Sequence, residues 1–138
     1  MLAQGGQSGA KDRDSLALSN AANEEIKELR SRTPWFTDDA QVYRLAVAIA
    51  LAKDLRPRSD ESESGYTTKY GLQTVDPDGG MRVLVLSIVP EYAETPNRWI
   101  SRLASKGVHY MHSELIGKGR PITEVLGIGE EGIGSDAV

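Results

Sequence analysis

The chain has 138 residues, 39% of them hydrophobic and 26% charged, which is room for one domain and enough apolar content to fold it, so a wholly disordered chain is excluded. It contains no Cys, which removes disulfide frameworks, thiolate metal sites and cysteine nucleophiles together. The formal net charge of −4 is opposite to the balance expected of a strong phosphate binder.

Met1 to Ala10 is rich in Gly with Gln and Ser and has no apolar period, so residues 1–13 are expected to form a disordered tail. No apolar run approaches the roughly 20 residues of a membrane span, and this opening lacks the apolar centre of a secretory signal. The expectation is a cytoplasmic protein with no membrane contact. From Lys11 to Ser19, Leu16 and Leu18 alternate with Ser15, Ala17 and Ser19, the period of a strand. Asn20 then offers a capping side chain, and Ala22, Ile26 and Leu29 make a narrow apolar stripe on a helix over 21–32. Pro34 ends that helix. Trp35, Phe36 and Tyr43 read as apolar plugs of the core.

Thr37, with its hydroxyl as cap, and the acidic Asp38 and Asp39 start a helix expected to reach Leu55. Its centre, Leu45 to Ala52, reads LAVAIALA, apolar on every face, and is expected to be the core helix and to pack on a second copy of itself. Ala46, Ala48, Ala50 and Ala52 would let a neighbouring backbone come close. The polar stretch 57–80, with Pro57 and several Ser and Gly, reads as a loop or linker carrying a short extended segment over 66–75. Met81 to Val89 fits two patterns. Its β-branched residues suit a strand in a small β element at 66–89, while Met81, Leu84, Val85 and Ile88 fall on one helical face with Asp78 as cap; helix is the preferred reading. Thr95 and Pro96 start a helix with Trp99, Ile100 and Leu103 in its stripe, which Gly107 either ends or weakens. Val108, Met111, Leu115 and Ile116 continue the spacing, and the Gly-rich, acidic residues 127–138 are expected to fray.

Little in the chain has the spacing of a catalytic or metal site. His109 and His112 share one helical face but have no third ligand, and Glu114 points elsewhere, so surface or half-buried histidines are the expectation. Asp38 and Asp39, or Glu130 and Glu131, are adjacent and diverge, unlike a facing acid and base pair. The glycines at 127, 129, 132 and 134 follow no strand and precede no Lys with Ser or Thr, so they do not make a phosphate loop. No catalytic residue, cofactor or metal is expected, and an enzyme is not.

The order strand, thin helix, turn, core helix across 14–56 resembles the ribbon-helix-helix DNA-binding fold, in which two chains pair their N-terminal strands in the major groove. The resemblance implies a homodimer in which Leu16 and Leu18 face the core while Arg13, Ser15, Ala17 and Ser19 face DNA. Arg13 alone on that face is a good base reader, and Asp38 and Asp39 put negative charge where a phosphate would sit. Residues 11–58 hold nine Lys or Arg against eight Asp or Glu, a net of +1, while 59–138 hold seven against twelve, a net of −5. Any DNA is therefore expected on the N-terminal half, with Arg44, Arg56 and Arg58 beside Arg13, and the C-terminal half as scaffold or protein-facing surface. A looser likeness spans 34–116. The segment PWFTDDAQVYRLAVAIALAKDLRP, followed by Ile100, Leu103, Ala104, Gly107 and Val108, is similar to small proteins associated with bacterial DNA phosphorothioation and phage-defence operons.

The expected fold is thus mainly α: a short N-terminal strand, four or five helices, a dimerising unit over 14–56, and a helical part of the same domain over 81–126. Two functions remain open. One is a non-enzymatic, DNA-associated accessory or transcription-regulatory protein; the other is a protein-interaction module, dimerising or adaptor, with no nucleic-acid contact.

Overall fold

The computed structural model describes residues 11–127, so the expected tails at 1–10 and 128–138 lie outside the described residues. The chain is mainly helical with one two-stranded sheet. In order it forms β1 (Leu16–Leu18), α1 (Asn20–Arg32), α2 (Asp39–Ala52), β2 (Thr68–Tyr70), α3 (Leu72–Val75) and α4 (Gly80–Ile88). A 3-10 turn at Pro90–Glu94, α5 (Pro96–Met111), a π-helical turn at His112–Gly117 and α6 (Ile122–Leu126) follow. Among the described residues no helix is long and apolar enough to cross a membrane.

α1 and α2 each start one residue away from the expected cap. Ser19, not Asn20, caps α1 by accepting from the Ala22 amide at 3.1 Å, which frees Asn20 Oδ1 to accept from the Thr67 hydroxyl at 2.7 Å. Asp38, not Thr37, caps α2 by accepting from the Gln41 amide at 2.9 Å, and Gln41 answers by accepting from the Thr37 amide at 2.7 Å. Met81 to Val89 resolves as helix, α4. Its free amides at Met81 and Arg82 donate to the Asp76 carboxylate at 2.9 and 3.1 Å, and Asp78 accepts from Gly80.

The core is α5 laid across α2. Ala22, Ile26 and Leu29 of α1 face it as the stripe required, together with Val42, Tyr43, Ala46, Val47 and Ala50 of α2 and Ile100, Leu103, Ala104 and Val108 of α5. Gly107 does not end α5; it is where the two helices touch. A β-carbon there would overlap the Ala46 carbonyl oxygen and sit 2.8 Å from the Ala46 Cα, so a glycine opposite an alanine is what this approach demands. Only Arg44, Ala48 and Ala52 leave a thin exposed line on α2 from Val42 onward. The expectation that α2 needs a second copy for cover is corrected accordingly, because α1, α3, α4 and α5 of the same chain supply it.

Three further expectations change. Residues 57–80, expected as a loop or linker, do form a loop at 57–67, but it is tied to α5 through Arg58, Glu61 and Glu63, and β2 and α3 beyond it respectively pair with β1 and pack on α2. Glu63 meets Arg13, Arg98 and Arg102 at 3.2, 3.5 and 2.8 Å, Glu61 meets Lys106 at 3.2 Å, and Arg102 donates to the carbonyls of Arg58 and Glu61. Residues 11–13 are fixed rather than part of a loose tail: the Asp12 carboxylate accepts from the Asn97 and Arg98 amides at 3.0 and 2.9 Å and so caps α5, whose own Thr95 side chain does not. Trp35 is 53% exposed and lies edge-on to Phe36, so it is no core plug, while Tyr43 is fully buried.

Candidate interaction surface

The residues expected to face DNA are turned to other uses. β1 pairs antiparallel with β2 of its own chain, Leu16 opposite Tyr70 and Leu18 opposite Thr68. Leu16 and Leu18 face the core as expected, but Ala17 is equally buried. Its amide donates to Ser101 Oγ at 2.9 Å and its carbonyl accepts from the Tyr43 hydroxyl at 2.8 Å. Burial pushes the Tyr43 hydroxyl far above its ordinary pKa, which keeps it a donor. The Ser19 amide continues this edge by donating to Ser105 Oγ at 2.9 Å. Side chains of α2 and α5 thus occupy the strand edge that a second chain would need. The outward orientation expected of Ala17 is corrected, because a three-residue strand with helices behind it buries both its faces.

The basic residues are engaged one by one. Arg13 is bound to Glu63 and to the Tyr66 carbonyl, Arg56 to Asp54 at 2.7 Å and Arg58 to Asp60 at 3.2 Å. Arg44 donates to the Val75 carbonyl at 3.0 Å, between α2 and α3. Ser15 is half-buried, and the Ser19 hydroxyl is spent as the cap of α1. Arg13 and the Arg58 backbone come together on the Arg102 and Glu63 cluster, which is an internal lock; Arg44 stands apart from it, and Arg56 points to its own carboxylate.

His109 and His112 do share a face, and α1 meets it with acids. His109 Nδ1 lies 3.0 Å from Glu25 and His112 Nε2 lies 2.6 Å from Glu28. The hydrogen bond from His112, with one from Arg32, holds the Glu28 carboxyl below its ordinary pKa. Glu114 does point elsewhere, to Lys118 and Arg120, whose hydrogen bonds likewise lower its pKa. Among the described residues no group of three His, Cys, Asp or Glu gathers as a metal site.

What the fold leaves open is one side of α4. Of Met81, Leu84, Val85 and Ile88, expected on one helical face, only Val85 is fully buried, while Leu84 and Ile88, with Val83, are 46, 47 and 65% exposed. With apolar residues at 81, 83, 84, 85, 86 and 88, a nine-residue helix resting on the core by one face necessarily shows the rest to solvent. That surplus was legible in the sequence as an apolar run too full for a one-sided helix. Asp78 precedes α4 and Glu91 and Glu94 follow it in the 3-10 turn, all exposed and none in an ion pair among the described residues, while Arg82, exposed and likewise outside any such pair, lies on the helix itself. No family model, curated protein or solved structure matches the chain.

Proposed function

We propose that the protein is a non-catalytic interaction module that binds a basic, amphipathic segment of a partner protein on the exposed side of α4. The single observation that carries this reading is the trio Val83, Leu84 and Ile88, three large aliphatic side chains left open where the other large aliphatics among the described residues are buried more deeply. The charges beside the patch select the partner. Asp78 before α4 and Glu91 and Glu94 after it are exposed carboxylates outside any ion pair among the described residues and outnumber Arg82, the exposed cation on the helix itself, so a segment with Lys or Arg flanking an apolar stripe is attracted. A second copy would bring the same carboxylates against one another, and the excess of acids over residues 59–138 adds to that repulsion. Finishing the burial of the three side chains contributes on the order of 1 kcal/mol each, which supports a micromolar rather than a nanomolar contact once association costs are set against it. Nucleic acid is disfavoured on the same grounds, since the net charge is −4, Arg13 is tied to Glu63 and the Tyr66 carbonyl, and Arg56 and Arg58 each stand beside an exposed carboxylate.

The test is a fluorescence-anisotropy titration with a labelled amphipathic Leu and Lys helix, and with its Leu and Glu counterpart. Wild type should bind the Lys form in preference, and Leu84→Asp should weaken it by about tenfold or more with little change in melting temperature. Equal binding of both peptides, undiminished binding by Leu84→Asp, or sedimentation of the protein alone as a dimer that Leu84→Asp dissociates would overturn the reading.

A further inference from the structure

The sequence of α4 is GMRVLVLSI, and from Val83 to Ile88 it holds one polar side chain, Ser87. At about 100° per residue, a position two along from the buried Val85 lies about 200° round the helix, so Ser87 is turned away from the core. It is exposed. Val83 and Leu84 lie four and three residues before it and are therefore its neighbours on the helix surface, and Ile88 falls one turn beyond Leu84. A hydroxyl is thus the fourth member of the apolar patch.

That hydroxyl is only half used. Ser87 Oγ donates to the Val83 carbonyl at 2.7 Å, the back-bond a serine makes within its own helix, so its proton is spent. Its lone pairs accept from no protein group among the described residues and are left to water. A partner that covers Val83, Leu84 and Ile88 must displace that water. An aliphatic side chain over Ser87 would leave a covered acceptor without a donor, a loss comparable with that of a hydrogen bond. A carboxylate could draw the proton outward, but Asp78, Glu91 and Glu94 at the two ends of the helix oppose it. A neutral amide has the N–H to give and carries no charge out of water.

We infer, resting on the docking of a basic amphipathic segment at α4, that Ser87 is the specificity-determining residue of this face. The partner's apolar stripe carries one amide side chain that donates to Ser87 Oγ, with aliphatic neighbours over Val83, Leu84 and Ile88. A single polar position in an apolar contact fixes register, because every other alignment leaves both the amide and the hydroxyl covered and unpaired.

Labelled amphipathic Leu and Lys helices, one with an all-Leu stripe and four with a single Gln at successive stripe positions, test this by fluorescence anisotropy. Wild type should bind one of the four within about threefold of the all-Leu helix, and the other three about tenfold or more less tightly. Ser87→Ala, a change at an exposed helix position, should leave the fold as stable as wild type. It should still bind the all-Leu helix but lose the tolerated position, so that all four Gln helices fall about tenfold or more below it. Ser87→Thr keeps the hydroxyl and its back-bond and should restore the tolerance. The inference is overturned, with docking at α4 intact, if the all-Leu helix binds but no Gln position is tolerated, if Ser87→Ala tolerates the same position as wild type, or if Ser87→Thr behaves as Ser87→Ala does. Failure of the all-Leu helix to bind wild type overturns the docking reading and this inference with it.

Discussion

Replacing Gly107 by Ala tests the packing account where it is least forgiving. In an ordinary helix interior that change stabilises a protein by about 0.5–1 kcal/mol, because Gly has more backbone freedom to lose. Here the sign should reverse. The new methyl would sit 2.8 Å from the Ala46 Cα, against the roughly 3.5–4.0 Å at which carbons attract best, so α2 and α5 must part by about 1 Å. A gap of that size forfeits a quarter to a half of the attraction at each contact between the two helices, and forced overpacking typically costs about 1–3 kcal/mol or more. Because the clash is with backbone, which has no rotamer to yield, the upper end applies. Against the propensity gain the net loss is about 2 kcal/mol, or a fall in melting temperature of about 8 °C. Urea denaturation followed by tryptophan fluorescence measures it. Gly117→Ala is the control, since the nearest atom to its new methyl is the His112 carbonyl oxygen at 3.9 Å, and it should be neutral or slightly stabilising. A Gly107→Ala variant as stable as wild type would refute the close crossing of α2 and α5.

The other predictions concern exposed groups. Trp35→Ala should cost only about 1–2 kcal/mol in the same denaturation assay, well below a buried tryptophan, because half of the ring is already in water; a larger loss would put Trp35 back in the core. Glu28 is one acid-sensitive contact, as Glu114 is another: the Glu28 carboxyl is lowered below 4.5 by hydrogen bonds from His112 and then Arg32, so its contribution is complete above 4.5 and disappears as pH falls through the folded value. Melting temperature against pH should therefore fall more gently below 4.5 for Glu28→Gln than for wild type, and identical acid limbs would contradict the pairing.

Helix positions were legible because they rest on local signals: the Ala22, Ile26, Leu29 spacing, the break at Pro34 and the Thr95 and Pro96 start each act within a few residues. The caps slipped by one position, as neighbouring Ser and Asn, or Thr and Asp, can all accept from a first-turn amide, and the choice between them is made by a third residue such as Thr67. What no local pattern could reveal is partnership across the chain. Asp12 caps a helix that begins at Pro96, and Glu63 collects arginines from Arg13 to Arg102, so segments that read as tail and linker are tied down by residues far away in sequence. The same blindness misplaced β1. Its alternation is real, but the pairing partner, β2, lies in a stretch whose polar composition reads as loop, and Ser101 and Tyr43 close the other edge. For the candidate surface, the apolar surplus of Met81 to Val89 was visible, whereas which side faces out depends on how α4 rests on Val85.

The central claim, that the exposed side of α4 is where this protein meets a basic partner, is tested most directly by mapping backbone amide shifts of the full chain on addition of the amphipathic Leu and Lys helix. The account predicts that the perturbed amides cluster at residues 81–94, with β1 and the arginines at 13, 44, 56 and 58 unmoved. Shifts centred on those arginines or on β1, with α4 silent, would contradict it.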